Sequence, residues 1–275
     1  MSVPFRLWLL ILALTLHGCS LLPEEVDETK DWSAQKLFTE ANYSLQQGDY
    51  EEAIKYFEAL EARYPFGVQA MQSQLSVAYA YYKFDEPDSA IAAADRFLKL
   101  YPSNPASAYA LYLKGLANFG RGHGLFDRFL PVDPSQRDPG AARDAYRDFS
   151  ELVRRFPNSE YAADANQRML FLRNNLARHE IHVAHYYMER GAYVAAANRA
   201  QHVVENYQRT PAVRDALVVM VDAYDRLGLK QLSDDARRVL AMNDEQGTFR
   251  IDSNAPATKK SWTRRAWDYL ELDNN

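Results

Sequence analysis

Ala53-Ile54-Lys55-Tyr56-Phe57-Glu58-Ala59-Leu60-Glu61-Ala62-Arg63-Tyr64-Pro65 is the stretch on which the fold turns. Ala53, Phe57 and Leu60 stand at offsets of four and seven, which share one face of an α-helix. Tyr64 follows four residues later, and Pro65 stops the helix where the chain must turn. The same pattern recurs at Ala90, Ala94, Phe97, Tyr101, Pro102 and at Ala145, Phe149, Leu152, Phe156, Pro157. A fourth copy, Ala196, Ala200, Val203, Tyr207, has Gln208 in place of the proline and Pro211 shortly after. A fifth, around Gly228 to Leu240, keeps only part of the pattern.

Gly48 closes a helix ahead of Ala53 and Asp49 caps the next, with Glu52 at capping-box spacing. The unit is a helical hairpin. Asn104-Pro105, Asp138-Pro139 and Thr210-Pro211 each pair a capping side chain with proline at an expected helix start. The alanine, the aromatic four residues on and the closing proline resemble the TPR family, whose repeat is about 34 residues. The steps between equivalent positions are 37, 55, 51 and, to Ser233, 37, so two insertions are expected. One is a loop at Gly120 to Gly140. The other lengthens a helix from about Tyr161 to Arg190 into a spine between two halves of the array. The expected architecture is all-α: a TPR-like helical-hairpin solenoid of about five repeats, in two halves joined by that long helix. A single hairpin cannot bury its apolar face alone, so neighbours share a core and leave a concave binding surface.

At the N-terminus, Arg6 precedes the apolar run Leu7 to Leu16, the layout of an export signal. That run is shorter than the roughly 20 residues a transmembrane helix requires. It leads into Leu16-His17-Gly18-Cys19, which resembles a bacterial lipobox, with His17 where a small residue is usual. Cys19 is the one cysteine in 275 residues, which excludes disulfides within the chain and cysteine-rich metal sites and makes lipid attachment its expected use. A buried free thiol beside a plain signal peptide is the alternative. Ser20 follows Cys19 where aspartate would signal retention in the inner membrane, so the outer membrane, periplasmic face, is expected. The organisation read from the sequence is a signal peptide over 1–18, a lipid-anchored tether over 19–32, the solenoid over 33–243 and a tail over 244–275.

The formal charge is −5, one unit more negative once Arg6 is removed, and so argues against nucleic-acid binding. His179, His182 and His185, with Glu180, invite a metal reading, but the spacing is not HExxH, and helix surface or packing is the alternative. Gly120-Arg121-Gly122-His123-Gly124 follows a helix, whereas phosphate-binding glycines follow a strand. No catalytic motif is present, and no cofactor beyond a covalent lipid on Cys19 is expected. The 18 tyrosines include Tyr79, Tyr81 and Tyr82, some of which are expected in the core and others along a groove near Arg63. Lys259, Lys260, Arg264 and Arg265 beside Trp262 and Trp267 in the tail fit either an amphipathic helix or a disordered segment.

Arg63-Tyr64-Pro65-Phe66-Gly67, Ala78-Tyr79-Ala80-Tyr81-Tyr82-Lys83, Asp133-Pro134-Ser135-Gln136-Arg137-Asp138-Pro139 and Glu189-Arg190-Gly191-Ala192-Tyr193-Val194-Ala195 together resemble the BamD family, also called ComL. The resemblance covers about Trp32 to Asn243. It implies a non-enzymatic lipoprotein of the outer-membrane β-barrel assembly machine, whose partners are the POTRA domains of BamA, the other Bam lipoproteins and the C-terminal segments of unfolded barrel proteins. It also implies that Arg63, Tyr64 and Gly67 serve the substrate-peptide site, with Gly67 shaping the turn, and that Arg199 faces BamA. For Arg199 a plain surface ion pair is the alternative. Two competing functions fit the repeats and anchor alone: a TPR lipoprotein scaffold for cell-wall or polysaccharide export, and a wall hydrolase using His182 or Glu180.

Overall fold

The computed structural model describes residues 27–121 and 133–246, so Cys19, most of the 120–140 insertion and the tail beyond Gln246 lie outside the described residues. Ten α-helices run through the described residues: α1 (Ala34–Gln47), α2 (Tyr50–Arg63), α3 (Val68–Lys83), α4 (Pro87–Leu100), α5 (Ser107–Arg121), α6 (Gly140–Arg155), α7 (Ala162–Glu189), α8 (Tyr193–Asn206), α9 (Ala212–Arg226) and α10 (Lys230–Glu245). In chain order they fall into five successive helical hairpins, the TPR-like all-α arrangement expected, and the two helices of a hairpin pack directly in α1–α2, α5–α6, α7–α8 and α9–α10. The described residues fall into two compact units that divide inside α3, between Ser73 and Gln74.

The recurring pattern builds the second helix of each of the first four hairpins. Phe57, Leu60, Phe149, Leu152 and Val203 are fully buried, as are the alanines at positions 53, 90, 145 and 196. Burial of each of these phenylalanines contributes roughly 2–3 kcal/mol. The residue at offset eleven terminates each helix. Tyr64, Tyr101, Phe156 and Tyr207 all leave helical geometry, with φ between −119° and −132°, while their N–H groups still reach the carbonyls of Leu60, Phe97, Leu152 and Val203. In the fifth hairpin Ser233 takes the alanine's place, but Arg237 stands at offset four, so α10 buries only Ser233 and Ala236. That is why the pattern fades there.

Helix starts differ in detail from the sequence reading. Asp49 caps α2 by accepting from Glu52 N at 3.2 Å, and Asp138 accepts from Gly140 N at 3.1 Å at the start of α6. Asn104 accepts from Ala106 N at 2.9 Å, ahead of a helix that begins only at Ser107. Thr210 does not cap α9: its hydroxyl donates backward to Tyr207 O at 2.7 Å.

In the larger unit, the helices pack in sequence from α4 through α10, and α7 also touches α9. The 28-residue α7 contacts α6 before it and α8 after it, so it links the hairpins on either side. Close approach of α5 and α6 depends on Gly115, where an added Cβ would lie 2.5 Å from Phe149 Cε1. At that interface Asp148 is 2 % exposed and accepts from Asn118 Nδ2 at 2.7 Å, with Lys114 Nζ at 3.3 Å. Burial pushes the Asp148 carboxyl up, against the opposing effects of Lys114 and Asn118. Lys114 shifts upward despite its own burial, because it also bonds Asp95 at 2.8 Å.

Candidate functional site

The first site is built at the end of α2. Pro65 cannot continue the helix, and Gly67 adopts φ 109°, a left-handed conformation that strains any residue with a Cβ although the space around it is open. The resulting turn leaves Phe66 91 % exposed and Val68 and Tyr64 exposed beside it. Gly67 therefore shapes the turn, and Tyr64 and Phe66 form its apolar rim.

Arg63 is already engaged. Its guanidinium donates to the backbone carbonyl of Thr29, to the Asp27 carboxylate and, at 2.8 Å, to the Thr29 hydroxyl. Tyr64 donates its phenolic proton to Trp32 O at 3.0 Å. Residues 27–32, read from sequence as the end of the tether, thus form a turn docked on α2. Within it, Asp27 Oδ1 accepts from the Thr29 N–H at 2.9 Å and from its hydroxyl at 2.6 Å, and Thr29 is buried. Trp32 packs on Tyr56 with ring centroids 5.3 Å apart, beneath the ammonium of Lys36. The Thr29 hydroxyl, with help from the Thr29 N–H and Arg63, holds the Asp27 carboxyl below its ordinary value against the opposing effect of desolvation.

Tyr79, Tyr81 and Tyr82 are half-buried in the larger unit. Tyr79 and Tyr82 approach Tyr109, whose hydroxyl burial pushes well up, with these neighbours adding to the effect. Tyr161 stands 5.4 Å from Tyr109 and stacks on Tyr112 at 4.9 Å, while the Tyr112 hydroxyl donates to Asp164 at 2.8 Å. These tyrosines knit α3, α5 and the start of α7 into one aromatic row.

The second site surrounds Arg199 on α8. Its guanidinium donates to Glu180 Oε2 at 2.8 Å, and Arg143 from α6 reaches Oε1 at 3.3 Å. The Glu180 side chain is only 3 % exposed, whereas Arg199 and Arg143 are about half exposed. The bond to Glu180 raises the Arg199 pKa, so its charge is permanent. Acidic residues on helices ordinarily face solvent, and Glu180 is an exception. Its signal was its spacing, three residues after Ala177 and four before Ala184, both buried. Beside this pair lies an open cavity of about 420 Å³, lined by Arg143, Arg173, Tyr146, Tyr207, His202 and Asn206 among others.

Two of the three clustered histidines have a structural role, while His185 is exposed. His179 Nδ1 donates to Ser135 O at 2.9 Å, and His182 Nε2 meets Ser135 Oγ at 2.9 Å. They bind the Asp133-Pro134-Ser135 turn to α7. Ser135, His182 and Asp133 do not form a nucleophile relay, because Ser135 Oγ donates directly to Asp133 at 2.7 Å and Ser135 is 1 % exposed. Among the described residues no cluster of three or more metal-ligating side chains occurs, and no helix is long and apolar enough to cross a membrane.

The profile of the YfiO family, described as outer membrane lipoprotein, matches residues 30–240. The chain is 45 % identical over 259 residues to the outer membrane protein assembly factor BamD of Neisseria meningitidis serogroup A, covering 93 % of this chain and 96 % of that protein. It is 44 % identical to BamD of Neisseria gonorrhoeae, with the same coverage, and 36 % identical to BamD of Haemophilus influenzae over 91 % of this chain and 95 % of the relative. Two arginine-centred sites on a helical-hairpin scaffold, a family profile spanning most of the chain and near full-length likeness to these assembly factors lead to one assignment: the chain belongs to the BamD (YfiO) family of outer-membrane lipoproteins that serve outer-membrane protein assembly.

Proposed function

We propose that the chain is a non-enzymatic scaffold and substrate receptor of the β-barrel assembly complex, held at the periplasmic face of the outer membrane by lipid on Cys19. Its N-terminal turn receives the C-terminal segment of an unfolded barrel protein. Arg63 pairs with the terminal carboxylate, Tyr64 and Phe66 take its apolar side chains, and Gly67 sets the turn that brings these groups together. The observation that carries this reading is the Arg63 guanidinium itself: it is set beside an exposed aromatic rim and binds a carboxylate, that of Asp27.

The second role is docking on the POTRA domains of BamA through the face of α8 that carries Arg199. Glu180 fixes the guanidinium from behind while about half of it stays accessible, an orientation that suits recognition of an acidic group on a partner. The other Bam lipoproteins are further partners under this reading, and nucleic acid is not.

The test is purification of the lipidated protein from outer membranes in mild detergent, with bound proteins identified by mass, for the native chain and for Arg199→Glu. Recovery of a POTRA-bearing barrel protein with the native chain and its loss with the variant is the expected result. Equal recovery from both removes Arg199 from the docking face, and no such partner with the native chain overturns the assembly-complex reading.

A further inference from the structure

Arg63 and Tyr64, the two residues proposed to hold substrate, spend their hydrogen bonds on the chain's own residues 27–32. One guanidinium gathers a carboxylate, a backbone carbonyl and a hydroxyl from Asp27 and Thr29, and the Tyr64 phenol is taken by Trp32 O. This is the set of acceptors that a peptide end offers: a carboxylate together with main-chain oxygens. We propose that residues Asp27 to Trp32 are a built-in competing ligand that closes the Arg63 site in the free protein, so that an incoming peptide carboxylate binds by displacing Asp27. The inference rests on the substrate reading given above and names the regulation of that site.

The segment is graded along its length in a way that suits exchange. Trp32, packed against Tyr56 and covered by Lys36, is the fixed end. Asp27 at the far end has a side chain 50 % exposed, next to an Arg63 side chain 27 % exposed, so water and a competing carboxylate both have access to the pair. Exposed ion pairs of this kind are weak and screened by salt, so exchange of one carboxylate for another is nearly balanced. Thr29 between them is held by the Asp27 carboxylate as well as by Arg63, so release of Asp27 also frees the Thr29 N–H and hydroxyl. The residues preceding Asp27 lead back to Cys19, so the clasp lies on the path between the proposed membrane anchor and the first hairpin. A competitor that occupies the site lowers apparent affinity by the fraction of molecules in which it is closed.

The test uses the full mature chain in detergent and a short labelled peptide of alternating apolar residues ending in phenylalanine, as the free acid and as the amide. Anisotropy titrations compare the native protein with Asp27→Asn, Arg63→Ala and the double variant. The expected result is that Asp27→Asn binds the free acid about threefold to tenfold more tightly than the native chain, leaves the amide unchanged, and loses this gain when Arg63 is also replaced. Equal affinity of native and Asp27→Asn protein for the acid, with binding still dependent on Arg63, overturns the clasp and leaves the substrate site standing. Binding that ignores Arg63 in every protein overturns the substrate reading and the clasp with it. Hydrogen exchange on the native chain needs no variant: saturating free-acid peptide should speed exchange at the Thr29 amide, and unchanged protection there in the bound state contradicts displacement.

Discussion

Arg63 and Arg199 each grip a carboxylate, and the two carboxylates differ in what they lose by letting go. Asp27 has a side chain half open to water on a segment outside the helices, and once released it regains full hydration. Glu180 is 3 % exposed inside the packing of α6, α7 and α8, where an unpaired charge has no solvent to turn to. The same pair of functional groups is therefore exchangeable at one site and fixed at the other. A receptor for passing ligands suits the first. A permanent docking face, whose arginine must not rotate away, suits the second.

Stranding Glu180 without its cations separates the two sites most sharply. Arg143→Ala combined with Arg199→Ala should cost about 3–5 kcal/mol in urea unfolding, and adding Glu180→Leu should recover much of the loss. Unchanged stability of the double variant would mean that Glu180 is not held by these cations. Arg199→Ala alone should cost less, about 1–2 kcal/mol, because Arg143 still serves the other oxygen. At the N-terminal site, Tyr64→Phe removes only the bond to Trp32 O and should cost about 0.5–1 kcal/mol in the same assay.

Asp27→Asn stands at the small end, with no resolvable change in unfolding midpoint at neutral pH. Its signature is in acid. The Asp27 carboxyl lies below its ordinary 3.8 in the folded chain, so its contribution is complete above that value and disappears as pH falls through the lowered one. Protection of the Thr29 amide should follow that titration in the native chain and be independent of pH in Asp27→Asn. A native profile that is flat across the same range would remove Asp27 from the clasp.

Much of the fold was legible because one physical rule was written four times. An apolar face at offsets of zero, four and seven, a capping aromatic and a stop made α2, α4, α6 and α8 readable, and the irregular spacing announced the long α7. Thr210 was misjudged as a cap because local residue type does not determine which way a hydroxyl points. Arg63 and Arg199 were found through family likeness, but their present partners were not. Asp27 and Thr29 lie 36 and 34 positions from Arg63, and no helical period connects a turn to a distant helix end. Glu180 lies on the core face of α7, between the buried Ala177 and Ala184, and that periodicity makes its burial legible, whereas the two arginines that reach it come from other helices and leave no trace in the local pattern.

The account divides the molecule into a receiving turn at Arg63 and a docking face at Arg199, and photocrosslinking from one position in each tests that division most directly. A photoreactive residue replaces the exposed Phe66 in one protein and the exposed His202 in another, and adducts formed in the intact envelope are identified by mass. The account predicts C-terminal segments of barrel precursors from position 66 and a POTRA-bearing partner from position 202. The same partner from both positions, or barrel precursors from position 202 alone, would contradict it.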